Sequence, residues 1–324
     1  MATSSNSRSQ TGSDSRITAP ISGASGFYRL QQKYAPYLFI APFFIMFALF
    51  SLWPIIKSMV LAFYTTAGPQ DQKFVGGANF LFCLSDPDFH TAIKNTVIYA
   101  FWSTFLQLPL SLGLAMLLSQ SWLRGRNFWR LAFFFPNLLG TVFVGVLFSV
   151  LFVPQYGLVN KAVSALTFGR IPLDTKWLAD PAYVMPALVL TSLWMYVGFN
   201  MIYFLAALQS VDKELYEAAQ VDGAGYWHQF WAVTLPGIRP VAIFVLVTST
   251  IGSFQLFELP FIMLNNTAGP NKSGLTIVMY LYQTGFISGD LGYASAVGWT
   301  LALAMLVISL IQLRLTGAFG GSKE

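Results

Sequence analysis

A carboxylate inside an apolar run is the clearest chemical feature of this chain. Glu258 sits in Leu256-Phe257-Glu258-Leu259-Pro260, and an ionisable group in such surroundings is costly enough to need a use. On a helix, Ile251, Gln255, Glu258 and Ile262 share one face, because residues three and four apart align. An amide and a carboxylate one turn apart suit paired hydrogen bonds to sugar hydroxyls. The same carboxylate serves equally well bonded to another helix or kept protonated. Tyr196, Asn200 and Tyr203 form a second polar stripe by the same spacing. Aromatic faces beside amides hold carbohydrate, while an asparagine bonding a neighbouring helix contributes only about 0.6 kcal/mol. Asn137, next to Pro136, is a third candidate. Elsewhere chemistry is sparse. His90 and His228 are isolated, the lone Cys83 admits no internal disulfide, and no nucleophile–base pair or metal-ligand spacing is visible.

These residues must be carried by membrane helices. The chain is 55% hydrophobic and 10% charged, against about 25% charged in ordinary soluble domains. Six apolar runs, near 37–63, 93–118, 128–152, 183–208, 240–264 and 293–313, can each cross a hydrocarbon core, which takes roughly 20 residues. The expected fold is therefore an all-α membrane protein, a six-transmembrane-helix bundle. Pro54, Pro109, Pro136 and Pro260 fall inside the runs, where neighbouring helices can re-satisfy freed carbonyls. The basic residues form no stripe with interleaved aromatics, so the net charge of +5 does not point to nucleic acid. They obey membrane topology instead. With both termini inside, most Lys and Arg fall in cytoplasmic segments, led by Arg124, Arg126 and Arg130. The first 26 residues are rich in Ser, Thr and Gly, and the first apolar run is of full membrane length. We expect a disordered cytoplasmic tail over 1–33, an uncleaved first anchor, a permeation domain over 34–315 and a cytoplasmic tail over 316–324.

One long polar stretch interrupts the apolar pattern. It spans 209–239, on the cytoplasmic side by the charge bias. Within it Leu215, Tyr216, Ala218, Ala219 and Val221 alternate with Glu214, Glu217 and Asp222 as on a short amphipathic helix. Gly223 can take positive φ and end that helix, and a second short helix is expected from about Tyr226 towards Pro236. Glu217-Ala218-Ala219, three residues, Gly223, nine residues and Val233-Thr234-Leu235-Pro236 resemble the E-A-A loop of the membrane subunits of ABC importers, with Val233 for the usual Ile. The resemblance runs from about Tyr34 to Leu315. It is carried further by Trp53-Pro54-Ile55, Asn95-Thr96, Tyr156-Gly157 with Asn160, Gly198-Phe199-Asn200, Gly269-Pro270 with Thr276, and Gly292-Tyr293-Ala294-Ser295-Ala296. It is similar to the sugar permease branch of the maltose and glycerol-phosphate type. Departures are Ala268 for a glycine, an extra Ser273-Gly274, and no long extracellular insert.

The resemblance implies a type I importer permease with both termini inside, in the bacterial inner membrane, and a carbohydrate as substrate, expected to be a neutral di- or oligosaccharide because no Arg or Lys lies deep in a span. It implies a second homologous permease subunit, two copies of an ABC ATPase and an extracytoplasmic solute-binding protein as partners. The docking loop would comprise Tyr216, Glu217, Ala218, Ala219, Asp222, Gly223, Ala224, Leu235 and Pro236. The chain has no G-x-x-x-x-G-K-[ST] phosphate loop, so ATP and Mg are expected on the partner ATPase and catalysis is not expected on this subunit. Two alternatives stay open: an ion-coupled secondary carrier with Glu258 as the cation site, and a glycerol-phosphate-type substrate in the same architecture. A membrane enzyme would need a convergent acid, base or metal, and the sequence offers none.

Overall fold

The structure is a computed structural model that describes residues 26–66, 68, 72–120 and 122–317, with backbone only for residues 26–32. The chain divides into two compact units, residues 1–56 and 57–324. α1 (Gly26–Phe47) passes through a π turn (Ala48–Leu52) into α2 (Trp53–Leu61), which runs from the first unit into the second and completes the apolar span Lys33–Leu61. The π turn has a local cause. Pro54 has no amide hydrogen, and its ring would strike the carbonyl four residues back, at Phe50. Widening the turn lets the Trp53 amide bond the Ala48 carbonyl, five residues back, instead. α1 starts at Gly26, so residues 26–33 of the expected tail are helical. The remainder of that tail, and residues 318–324, lie outside the described residues.

After the end of α2 the second unit forms a hairpin of β1 (Tyr64–Thr66) and β2 (Gln72–Phe74), antiparallel with Thr65 opposite Lys73. Then come α3 (Ala78–Cys83), α4 (Pro87–Ser119), α5 (Arg126–Leu138), α6 (Thr141–Leu151) and α7 (Leu158–Leu166). The chain continues through α8 (Pro181–Ser210), α9 (Lys213–Val221), α10 (Tyr226–Gln229), α11 (Leu235–Phe254), α12 (Glu258–Met263), α13 (Ile277–Tyr282) and α14 (Leu291–Leu315). α4, α8, the stretch Tyr226–Met263 and α14 are each long and apolar enough to cross a bilayer. With Lys33–Leu61 that makes five, and six when α5 and α6 together count as one broken span.

Two expected spans are not single helices. The third bends by 97° between α5 and α6. Leu139 ends α5, and Gly140 follows at φ 77°, a left-handed backbone that side chains disfavour. The fifth opens at Gln255–Phe257, because Pro260 cannot tolerate the Leu256 carbonyl four residues behind it. That carbonyl is not left bare. The hydroxyl of the fully buried Thr276 donates to it at 2.7 Å.

Three apolar clusters hold the second unit. An outer one joins Val144 and Phe148 of α6 with Val184, Leu188 and Met195 of α8 and Leu259 of α12. An inner one joins Leu118 of α4 with Met201, Phe204 and Leu205 of α8 and Val245 of α11. A third packs Phe89 of α4 on Ile277 and Met279 of α13 and Val297 of α14. α8 is the central element, in contact with α4, α5, α6 and α11. Its approach to α5 is backbone to backbone. A Cβ at Gly198 would lie 1.7 Å from the Phe133 carbonyl oxygen, so only glycine permits this crossing.

Polar side chains pin the outer ends. Asp86 caps α4 by accepting the Asp88 amide at 2.9 Å, and also accepts the hydroxyls of Tyr280 and, at 2.8 Å, Tyr293. Burial pushes its carboxyl up, but the two phenols and the amides of Asp88 and Phe89 outweigh burial and hold it below the ordinary aspartate value. The Asn95 amide donates to the carbonyls of Lys272, at 2.8 Å, and Leu275, at 3.0 Å. Asn160 donates to Val153 and Thr175 carbonyls and accepts the Trp177 indole N–H. These asparagines are internal ties.

Two substitutions test these contacts. Gly198→Leu should force α5 off α8 and destabilise the detergent-solubilised protein by about 1–3 kcal/mol. Thr276→Val should strand the Leu256 carbonyl at a similar cost of about 1–3 kcal/mol, with Thr276→Ser restoring most of it. Thermal melts indistinguishable from the parent would refute the respective contact.

Candidate functional site

Between the outer and inner apolar clusters the helices leave a cavity of about 550 Å³. It lies at mid-length of α4 and α8, lined by Tyr99, Ser103 and Gln107 from the first and Ser192, Tyr196 and Asn200 from the second. α11 contributes Ser249 and Ser253, α6 contributes Thr141, and the broken segment contributes Gln255, Phe257 and Glu258. Four of the five substrate-contact candidates from sequence thus meet in one space: Tyr196, Asn200, Gln255 and Glu258. Asn137 does not line it. The bend after α5 instead brings Thr141, four residues on, to the wall.

The route by which Gln255 and Glu258 meet differs from the sequence reading. Ile251, Gln255, Glu258 and Ile262 do not form one helical face, because Gln255 ends α11 and Glu258 begins α12. Ile262 packs instead beside Gly145 of α6, its Cγ2 lying 3.0 Å from where a glycine Cβ would be. Both polar side chains are exposed to the opening that the break creates. Among the described residues Glu258 makes no ion pair or side-chain hydrogen bond, so nothing within the second unit uses it as interhelical glue. Asn200 combines two roles. It is 5% exposed, and its Nδ2 donates to Ser249 Oγ at 3.1 Å across to α11 while it still borders the cavity. Tyr203 is not at the wall; its ring packs on Phe199 and Phe244.

Sequence reasoning missed the α4 wall. Tyr99, Ser103 and Gln107 recur every four residues and form a polar stripe along the middle of α4. Ser103 Oγ shares a hydrogen bond with Ser253 Oγ at 3.0 Å, tying α4 to α11. Gln107 is 5% exposed, and its amide has no hydrogen-bond partner among the described residues. The spacing signal was present in the sequence, as three polar residues at intervals of four. The chemical character of the wall is plain. It offers hydroxyls, amides and aromatic rings, one carboxylate, and no Lys or Arg.

The polar loop forms a separate knob. Asp212 caps α9 by accepting the Glu214 amide. α9 ends as expected at Gly223, φ 78°, with the Gly223 amide on the Gln220 carbonyl at 3.0 Å and the Ala224 amide on the Ala219 carbonyl at 2.9 Å. Gln229 Nε2 donates back to the Ala224 carbonyl at 2.8 Å and fixes the bend. The second helix is not free-standing. α10 runs through a π turn (Phe230–Thr234) into α11, the widened turn again preceding a proline, Pro236. Tyr216 and Thr234 hydroxyls bond at 3.0 Å and join α9 to this turn. Glu217, Ala218 and Asp222 are exposed, while Ala219, Ala224 and Leu235 are half-buried. Val221, Trp227 and Trp231 present apolar surface beside the acids, Val221 being 88% exposed.

Comparison with known proteins bears on both places. The model of the family described as binding-protein-dependent transport system inner membrane component matches residues 107–320. The arabinooligosaccharides transport system permease protein AraP of Bacillus subtilis (strain 168) is 39% identical over 90% of this chain and 91% of its own. The lactose transport system permease protein LacF of Rhizobium radiobacter is 35% identical over 85% of this chain and 92% of its own. Among solved structures, a chain of a bacterial ABC transporter involved in the import of the acidic polysaccharide alginate superposes with a TM-score of 0.77. It is 26% identical, with 90% of this chain and 97% of that one covered. A set of apolar spans with breaks at prolines and a glycine, a mid-depth polar cavity, a capped cytoplasmic knob and a family match over residues 107–320 place this chain among the binding-protein-dependent transport system inner membrane components, as a permease of an ABC importer.

Proposed function

We propose that this chain is one of two non-identical permease subunits of an ATP-driven importer for a neutral di- or oligosaccharide. The observation that carries the reading is the cavity wall. Amides and hydroxyls pair with sugar hydroxyls, aromatic faces take the apolar faces of the ring, and a lone carboxylate accepts two hydroxyl hydrogens. The absence of Lys and Arg from that wall argues against a phosphate- or carboxylate-bearing substrate. Tyr196, Asn200, Gln255 and Glu258 are the contacts from this subunit, to which we add Gln107.

In this reading a solute-binding protein delivers sugar from outside, and two ATPase copies below bind ATP and Mg and hydrolyse the nucleotide. This chain performs no catalysis. The knob transmits their motion. Glu217 and Asp222 offer carboxylates to basic groups on the ATPase, and the Val221, Trp227 and Trp231 surface seats in an apolar cleft. Tyr216–Thr234 and the continuity of α10 with α11 carry the movement to Gln255 and Glu258, at the far end of the same span. Alternating access then follows from motion applied at one end of a helix whose other end lines the cavity. The second permease subunit completes the path, and the assembly resides in a bacterial inner membrane.

Two measurements test the proposal in cells carrying the complete importer, with a panel of radiolabelled neutral di- and trisaccharides. Glu217→Lys should leave the permease inserted in the membrane yet abolish coupling, so that ATP hydrolysis no longer responds to sugar and uptake falls to background. Unchanged uptake would sink the docking role. Glu258→Gln should weaken sugar binding by the worth of a charge-assisted hydrogen bond, about 1.5–3 kcal/mol, or about 10- to 100-fold in the half-saturating concentration. An unaltered value would remove Glu258 from the site.

A further inference from the structure

A second polar concavity lies away from the sugar cavity and the knob's exposed face, at the amino end of α5. Arg126, Asn127 and Arg130 of α5, with Gln209 near the end of α8, line an open notch of about 520 Å³. The two arginines stand one turn apart and both are half-buried. Neither pairs with a carboxylate among the described residues. Among the described residues the recorded salt bridge joins Lys272 and Asp88, in other parts of the chain. Arg130 gives Nη2 to the Leu118 carbonyl at 3.3 Å, while its Nε is shielded from solvent without a hydrogen-bond partner among the described residues. A guanidinium N–H in that condition is a donor awaiting an acceptor.

The local backbone favours the same charge. Gly125 starts the helix at φ 73° and has no side chain with which to cap it, and the first turn of α5 holds no acidic residue. Unpaired amides and the positive end of the helix dipole therefore face the notch together with the two guanidiniums. The surroundings set the depth. Trp122, Phe128 and Trp129 are 69%, 66% and 45% exposed, and aromatic side chains of this kind gather at the headgroup level of a bilayer. Arg130 lies just before the apolar run from Leu131 to Phe135, at the edge of hydrocarbon on the side that the Lys and Arg bias makes cytoplasmic.

We propose that this notch binds the phosphate of an anionic phospholipid of the cytoplasmic leaflet, held by Arg126 and Arg130 at the amino end of α5. The phosphodiester oxygens accept bidentate hydrogen bonds from the guanidiniums, and its acyl chains run along the apolar face that α5 presents above Arg130. A lipid fits better than an acidic protein segment because the notch opens among exposed aromatics. Bound there, the lipid braces the α5–α8 crossing that Gly198 makes close.

The test uses the whole importer, purified through a tag on this chain, and compares it with an Arg126→Gln, Arg130→Gln double variant. Arg124→Gln, exposed and outside the notch, is the control. Retained lipid is measured by native mass spectrometry after exchange into nanodiscs of equal phosphatidylglycerol and phosphatidylcholine. The parent and the control should retain phosphatidylglycerol selectively, and the double variant should lose about tenfold or more of that selectivity. Equal retention in parent and double variant overturns the proposal. So does displacement of the lipid by excess inorganic phosphate, which would assign the notch to a free anion. Loss of the co-purifying ATPase with lipid retention unchanged would assign it to a protein contact and overturn it equally. If the double variant fails to assemble, the single Arg126→Gln and Arg130→Lys variants are read on the same scale.

Discussion

A backbone carbonyl released inside hydrocarbon finds no water, so every break in a membrane helix must be met by another part of the protein. Much of this structure follows from that constraint. Pro260 frees the Leu256 carbonyl, and the chain answers with the Thr276 hydroxyl, brought from the loop ahead of α13. Asn95 and Thr96 of α4 in turn hold that loop, the first through the Lys272 and Leu275 carbonyls and the second by accepting the Ile277 amide. The tie is a chain of dependence. α4 positions the loop, the loop satisfies the break, and the break turns Gln255 and Glu258 towards the cavity. Asn95, Thr96 and Thr276, which the sequence marks only through the family resemblance, are thus what allows the cavity lining to exist.

Proline acts at the other end of the same span by a milder device. Pro236, like Pro54 in the first unit, is preceded by a π turn that carries the helix past the missing amide without ending it. The difference from Pro260 matters to function. A helix continuous through Pro236 is built to carry the displacement that the proposed docking requires, whereas a helix opened before Pro260 exposes side chains. One residue type thus gives a continuous helix at the cytoplasmic end and a polar opening at mid-depth, according to how the preceding turn resolves the same clash.

Much of this was legible in advance because membrane insertion is a strong filter on composition. Apolar runs of the required length, the arginine cluster before the third span and the E-A-A loop gave the class, the span positions and the knob. Gly223 fell where a left-handed stop was expected. Four cavity residues were named from polar spacing alone. The same spacing rule failed for Ile251 and Ile262, because it assumes an unbroken helix, and for Tyr203, whose ring found aromatic neighbours instead. It was never applied to α4, so Tyr99, Ser103 and Gln107 went unrecognised. Asn137 was misplaced because the turn at Gly140 redirects the chain by nearly a right angle, and a lone glycine in an apolar run does not announce its φ.

By itself, then, the sequence determined which segments enter the membrane, which loop stays polar and which end of each span faces the cytoplasm. Hydrophobic length, charge placement and local capping are properties of contiguous residues. The tertiary structure decided where the spans break and which polar groups are consumed as internal ties. It also decided that α4, α8, α11 and α12 should share one cavity. These outcomes depend on partners far apart in the chain, such as Thr276 for Leu256 and Phe133 for Gly198, and on the rule that a buried polar group must find its partner wherever the fold supplies one.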